Sequence, residues 1–596
     1  MGLLALGAAE LEIEPSEPAP LPGISEAPVP PVGDALEPRA LALPSGAPPG
    51  ISCEDAQRVT AFLRRELAAP AIVPLPTELS QVWAALLDPH GLWSAAPDSP
   101  LQSELSATAS DMLGALHERT PGCAVADEVA GALESWLGRL ATIYDAAFDA
   151  ARTGAVPSDA QVFRLAADPI FQDDPVTRPA QELARELGTR LGAFVARFPE
   201  EAALALDARA RYLPGGRRDL TGIVTLAALR AYVPLVDPHA DFAPLEEEWA
   251  LYAGDTTLDG GSPLWADMSR TPLGARIVDD PAPPLQLDDL VLSINGLSLA
   301  GASLDQIEQA ARSAEDRTFE LRVLRQGSGS LLTLSVSVTP PPPETELELE
   351  RIDYGAGQTV LRVVIPDVGD WLGEDLAHVL GYDAVTASAV LLDLRGNGGG
   401  SLDAAVEALG LMLPDAPLFP LIRRGAVSEV LQAPHPVTRY GGPVAALVDG
   451  DTASAAEMLA GGLQAYGRGV VIGARTFGKG CVQEYFDDVA SSGVLRLTTL
   501  QFVMPSGKPL QQIGLTPDIA LQLAPALERE SQITRQPITF DGPDVRDRRA
   551  RVGPAWPRSK GPPGPCRDPV VCTALSRLSG VKSDLRAARS RGTRPP

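Results

Sequence analysis

Three short stretches of the chain carry residue types able to do covalent chemistry. In the first, an apolar run ending at Val448 gives way to Asp449-Gly450-Asp451 and then to Thr452-Ala453-Ser454-Ala455-Ala456-Glu457, which opens a helical stretch. A serine at a strand-to-helix junction is exposed, and the unpaired N–H groups and positive dipole end there favour a developing oxyanion. Serine is equally a preferred helix N-cap, so capping alone also accounts for it. A nucleophilic serine needs a base, because its hydroxyl is weak at neutral pH. The five histidines (His90, His117, His239, His378, His435) all lie outside 448–483. The base is therefore a distant histidine or a lysine whose pKa burial draws toward neutrality. Lys479, in Thr476-Phe477-Gly478-Lys479-Gly480, follows the apolar Val470-Val471-Ile472 and has no acidic residue within four positions. A solvated turn lysine is the plain alternative.

The third stretch, Arg395-Gly396-Asn397-Gly398-Gly399-Gly400, follows the apolar run Ala389 to Leu394. Consecutive glycines at the end of a buried strand let backbone approach a ligand closely and can supply oxyanion donors. Phosphate cradling is the rival reading, but the stretch has neither a P-loop ending nor dinucleotide-fingerprint spacing. Five cysteines (Cys53, Cys123, Cys481, Cys566, Cys572) are too few and scattered for a disulfide scaffold, and none has paired zinc-ligand spacing. The redox compartment stays open. No metal and no cofactor is called for.

These residues need elements to hold them. At 596 residues the chain exceeds one ordinary core, and about 150 residues per domain suggests three or four modules. Its 49 basic and 77 acidic residues leave a charge of −28, repelled by phosphate backbones and anionic lipid, so nucleic acid is excluded as a partner. No apolar run reaches the roughly 18 residues of a membrane span, so no integral span is expected. Residues 1–50, with 11 prolines, form a disordered Pro-rich leader. Its Met1-Gly2-Leu3-Leu4-Ala5-Leu6-Gly7-Ala8-Ala9 is like the end of a secretory signal without a basic n-region. That leaves a clipped signal, placing a bacterial protein in the cell envelope or periplasm, or a merely apolar start and a cytoplasmic protein.

Apolar residues recur at three- and four-residue spacing over 51–235, predicting a helical N-terminal module. Over 250–340 short strand-like runs take over, with Asn295-Gly296 as a hairpin turn, and Pro340 to Pro343 reads as a linker. In 344–524 buried apolar runs (Ala389 to Leu394, Pro443 to Val448) alternate with helical stretches, predicting an α/β core. From Glu528 onward 15 basic residues face 7 acidic ones; residues 525–596 are read as a basic, mostly irregular tail with a short helix near 568–580. The fold class is multidomain α+β.

Taken together, the motifs resemble the C-terminal processing peptidases, or tail-specific proteases, serine peptidases that use a Ser-Lys dyad and carry a PDZ domain. The family's D-L-R-x-N-x-G-G element reads Asp393-Leu394-Arg395-Gly396-Asn397-Gly398-Gly399-Gly400, and its S-A-S-E element Ser454-Ala455-Ala456-Glu457. T-F-G-K-G-x-V-Q is intact from Thr476 to Gln483, with Cys481 at the variable position. The late element reads Pro505-Ser506-Gly507 and Gly514-Leu515-Thr516-Pro517-Asp518-Ile519. Val236-Asp237-Pro238-His239-Ala240-Asp241-Phe242 is like the segment preceding the family's PDZ domain, whose hairpin is matched by Asp288 to Gly296, with Asp288 where Gly is usual.

This resemblance implies a PDZ-like β-rich domain and a peptidase core with a crotonase- or ClpP-like sheet. It implies Ser454 as nucleophile, Lys479 as general base, Gln483 as the group orienting the lysine, and the N–H groups of Gly399 and Ala455 as the oxyanion hole. Gly400, Glu457 and Thr476 would be supporting residues. The implied activity is serine endopeptidase, cleaving polypeptides near unfolded C-terminal tails. One alternative is a weakly active or inert peptide-binding module on the same fold; another is a crotonase-like acyl-CoA enzyme, which rests on fold analogy alone. The substrate, the oligomeric state and the role of residues 51–235 are left open.

Overall fold

Helical periodicity becomes eight α-helices among the described residues up to Val236. The computed structural model describes residues 49–580 apart from 169–177, 252–266, 311–317, 338–346, 534–539, 559–566 and breaks of at most five residues. The expected leader and the last part of the tail lie outside the described residues. The helices are α1 (Cys53–Glu66), α2 (Pro76–Leu87), α3 (Leu101–His117), α4 (Ala124–Arg152), α5 (Asp159–Ala167), α6 (Ala180–Arg197), α7 (Ala202–Tyr212) and α8 (Arg217–Val236). Ser52 caps α1 by accepting from the Asp55 N–H, and basic Arg64 and Arg65 sit in its last turn, both favourable to the helix dipole. Gly188 and Gly192, one turn apart, let α6 lie directly against α4. A Cβ there would come within 2.4 Å of the Tyr144 carbonyl oxygen or 2.3 Å of the Phe148 one. Two of the buried indoles find carbonyl acceptors: Trp83 Nε1 donates to the Val224 carbonyl at 3.1 Å and Trp93 Nε1 to that of Tyr212 at 2.8 Å.

Two features of this module depart from expectation. Cys53 and Cys123, two of five cysteines read as too few and scattered for a disulfide scaffold, are joined by a disulfide with Cα atoms 5.7 Å apart, pinning the start of α1 to the start of α4. Folding brings together what 70 residues separate. Secondly, α8 is long and apolar enough to cross a bilayer, yet 67% of its apolar window is buried inside the module. It is a core helix by its packing, with Leu220, Val224, Ala228, Tyr232 and Val233 all buried.

Residues 267–337 form an antiparallel sheet of strands Asp267–Thr271, Gly274–Asp279, Leu290–Ile294, Thr318–Leu324 and Leu331–Ser337. The Asn295-Gly296 turn, with φ of 48° and 78°, pairs Ile294 with Leu297 as its sequence predicts. Asp288, with φ of 70°, occupies a left-handed position, the conformational reason for glycine there.

The six-stranded sheet that follows runs Ile519–Ala520, Gly469–Gly473, Val444–Val448, Ala389–Asp393, Gln358–Val364, Glu348–Gly355. All neighbours are parallel except the last pair. Val390 stands opposite Val444, and Val444 opposite Gly469. Strands covered on both faces must be apolar throughout, which is why these runs do not alternate. On one face Val363, Val390, Leu392, Ala446 and Val471 pack against helices Leu402–Gly410 and Ala455–Ala465. On the other, Ile352, Leu391, Ala445, Leu447 and Ile472 meet Trp556 and helix Pro569–Ser579. The basic C-terminal segment thus covers one face of the sheet. Trp556 Nε1 donates to the Tyr354 hydroxyl at 3.0 Å, and that hydroxyl donates to the Leu575 carbonyl at 3.1 Å.

A third sheet, of Asp241–Pro244, Gly493–Phe502, Pro417–Arg423, Ala426–Gln432 and Cys481–Ala490, is antiparallel and carries the helical module. Phe62 of α1 packs edge-on against Phe486 at 4.7 Å between ring centres, and the Ala68 N–H donates to the Thr498 carbonyl at 2.9 Å.

Candidate active site

Loops after three adjacent parallel strands converge at one edge of the six-stranded sheet, where such sheets present ligand sites. The first leaves Asp393, the second Val448 and the third Gly473. Main-chain and side-chain bonds lock them together. The Ala453 N–H donates to the Asn397 carbonyl at 2.9 Å, Thr452 Oγ1 to the Leu394 carbonyl at 2.8 Å, and the Phe477 N–H to the Thr452 carbonyl at 3.0 Å.

Ser454 sits at the tip of the second loop, half-buried, with φ of 52° and ψ of −122°. A left-handed φ at a residue with a side chain costs of order 1–3 kcal/mol and persists only where surroundings enforce it. An ordinary N-cap has extended backbone and incurs no such cost. Gly399 fills the space beside it: a Cβ there would lie 2.7 Å from Ser454 Cβ and 3.1 Å from the Ala455 nitrogen. The φ of Gly399 is itself 112°, and Gly400, at 138°, bridges to Val368, where a Cβ would meet the Val368 carbonyl oxygen at 2.4 Å.

Glu457 ties the second loop to the third. Fully buried, it accepts the Ser454 N–H at 3.0 Å and the Lys479 N–H at 2.9 Å on the same oxygen, Oε2. Its Oε1 accepts the Gly478 N–H at 3.0 Å and the Thr476 hydroxyl in a short bond. Thr476 Oγ1 in turn accepts the Leu515 N–H at 2.6 Å. Burial pushes the Glu457 pKa up to about 8, against the pull of those four donors.

Lys479 is half-buried, and among the described residues it forms no ion pair. The backbone N–H groups of Lys479 and Ser454 share Glu457 Oε2, and no hydrogen bond joins the Lys479 amine to the Ser454 hydroxyl among the described residues. Unliganded sites commonly hold such pairs loosely. Gln483 Nε2 donates to Cys481 Sγ at 3.2 Å and Thr498 Oγ1 at 3.1 Å, not to Lys479. Ala455 is the first residue of its helix, so its N–H has no intrahelical acceptor. The Gly399 N–H, by contrast, donates to Asn397 Oδ1 at 2.9 Å, while Asn397 Nδ2 holds the Ile365 carbonyl at 2.9 Å.

Sequence reasoning did not single out Asn397, whose buried amide spans two loops. Nor did it see Arg395 as a strut. That guanidinium donates to Asp393 Oδ2 at 2.7 Å and to Asp568 Oδ2 at 2.6 Å, and Asp568 caps the last helix by accepting the Val570 N–H at 2.7 Å. The partners are 173 residues apart, and no local signal marks them.

Residues 363–521 match the family model described as Peptidase family S41. Curated relatives include a carboxyl-terminal-processing protease of Synechocystis sp., 28% identical over 235 residues, which are 39% of this chain and 54% of that protein. A tail-specific protease of Haemophilus influenzae is 33% identical over 172 residues, 28% of this chain and 25% of the relative. The chain therefore spans about half or less of the length of these two relatives. Among solved structures, a photosystem II D1 C-terminal processing protease aligns over 50% of this chain and 82% of its own, at 22% identity and a TM-score of 0.33.

Proposed function

Given that the chain carries a peptidase family S41 domain over residues 363–521, we propose that it is a serine endopeptidase working by a Ser-Lys acyl-enzyme mechanism. One observation carries this reading: a single buried carboxylate, Glu457, holds the backbone of both Ser454 and Lys479, and Ser454 is kept in a strained left-handed conformation. Neutral Lys479 takes the Ser454 proton as Oγ attacks the scissile carbonyl. The tetrahedral oxyanion is met by the Ala455 N–H, with the Gly399 N–H as second donor once it exchanges Asn397 Oδ1 for substrate. Lys479 then protonates the leaving amine and activates the water that hydrolyses the ester. Gln483 orients the lysine by a turn of its amide, and Gly400 and Thr476 hold the two loops.

The substrate is a polypeptide, bound in extended form near an unfolded C-terminal tail, and the sheet of residues 267–337 acts as a PDZ-like module beside the core. The Cys53–Cys123 disulfide and the disulfide-bonded Cys572 support an oxidising compartment, hence the cell envelope or periplasm of a bacterial source. A second reading, a peptide-binding module without turnover, draws on the committed Gly399 N–H and the unformed Ser454–Lys479 bond. Incubation with an unstructured peptide separates the two. Cleavage that Ser454→Ala and Lys479→Ala each remove supports the enzyme, whereas peptide binding with no products from the wild type supports the module.

A further inference from the structure

Beside the site lies a cluster the mechanism does not use. His239 precedes the strand Asp241–Pro244, Cys481 opens the strand that follows Lys479, and Glu530 begins the short helix Glu530–Ile533. Their ligand-type atoms, an imidazole nitrogen, a thiol sulfur and a carboxylate oxygen, all lie within 4.8 Å of one another. Nε2 of His239 is 2.9 Å from Glu530 Oε1. The Glu530 side chain is completely buried, Cys481 is 4% exposed, and the His239 side chain is 16% exposed. Such a grouping of a soft, a borderline and a hard donor, sealed from water on most sides, is uncommon as mere packing, because each buried polar group has to be matched.

From this geometry we infer that His239, Cys481 and Glu530 form a binding site for a borderline divalent transition metal of the zinc type. Mixed N, S and O donors suit Zn²⁺, whereas Ca²⁺ and Mg²⁺ demand six or more oxygens. Cys481 and Glu530 already have outer contacts of the kind that orient metal ligands. Gln483 Nε2 donates to Cys481 Sγ at 3.2 Å, as an N–H does to a bound thiolate. Gln511 Nε2 donates to Glu530 Oε1, and Gln511 Oε1 accepts the Gly480 N–H at 2.6 Å. A cavity of about 250 Å³, lined by His239, Cys481, Thr498, Gln501 and Gln511 among others, opens onto the cluster. It supplies an entry path and room for a water as fourth ligand. The three ligands come from segments far apart in the chain, so a bound ion would cross-link the approach to Asp241, the strand after Lys479 and the C-terminal segment. That is also why no ligand spacing shows in the sequence.

The test uses the full chain, freed of metal by chelator and dialysis, titrated with Co²⁺ as spectroscopic probe and with Zn²⁺. Expected are one equivalent bound per chain, visible bands of tetrahedral Co²⁺ with a thiolate charge-transfer band, and a rise in Tm with Zn²⁺. Cys481→Ser and His239→Ala should weaken binding at least 100-fold. As a control independent of whether those variants fold, alkylation of wild-type Cys481, followed by peptide mass spectrometry, should slow at least tenfold when Zn²⁺ is present. Absence of binding by the wild type, unchanged alkylation, or equal affinity in a folded Cys481→Ser variant would overturn the assignment.

Discussion

At the scale of single residues, the site is defined by what can stand next to Ser454. Gly399 cannot accept a Cβ without striking Ser454 Cβ at 2.7 Å, and its left-handed φ penalises any L side chain as well. Gly399→Ala is expected to cost roughly 1–3 kcal/mol of stability, read by urea unfolding, and to lower kcat by at least about 100-fold, the size of a lost oxyanion donor. Wild-type kinetics in that variant would mean the glycine has no part in the chemistry. Ser454→Ala should abolish peptide cleavage to within about 10⁻³ of wild type while relieving backbone strain, so its stability should hold or rise. A variant that loses stability and keeps activity would identify Ser454 as a cap. Glu457→Gln keeps the size of the side chain but replaces an acceptor oxygen by an amide donor facing N–H groups on both loops. Loss of kcat with little change in KM is expected, since substrate contacts are untouched.

Among the elements, the disulfide and the C-terminal helix act at a distance from the chemistry. A bridge closing a loop of this length contributes typically about 2–4 kcal/mol. Replacing Cys53 and Cys123 together by serine should lower the unfolding free energy by about that amount in non-reducing urea titrations; no change would mean α1 and α4 are held by packing alone. Much of this architecture was legible because its cause is local. The runs at Val390 and Val444 are apolar on both faces because helices cover both, and the Asn295-Gly296 hairpin follows from two residues that tolerate positive φ. The close packing of the loops after Asp393 and Val448 was legible too, since glycine and serine at strand ends mark close approach. What escaped notice is long-range. Asp568 holding Arg395, Cys53 finding Cys123, and His239 meeting Cys481 and Glu530 depend on how modules dock, which no periodicity encodes. The Asn397 bond to the Gly399 N–H, only two residues away, is a loop conformation rather than a pattern.

For the molecule as a whole, the buried Glu457 and the partly buried His239 give stability a common pH slope. Glu457 rises from 4.5 to about 8 on folding, so its contribution is full below pH 4.5 and is lost as pH climbs through about 8. In the chain freed of metal, His239 rises from 6.5 to about 10; its contribution is full below 6.5 and is lost on passing about 10. The Tm of the metal-free chain should therefore fall steadily between pH 6 and 9.5, and Glu457→Gln should flatten the part below 8. A wild-type Tm that is flat or rises over this interval would remove both assignments. The account's central claim, that Ser454 becomes acylated with Lys479 as its base, is tested most directly by intact and peptide-level mass spectrometry of the protein after reaction with a serine-directed fluorophosphonate. One adduct on Ser454, lost in Lys479→Ala, is the predicted result. No adduct on the wild type, or labelling of Ser454 that persists undiminished without Lys479, would contradict it.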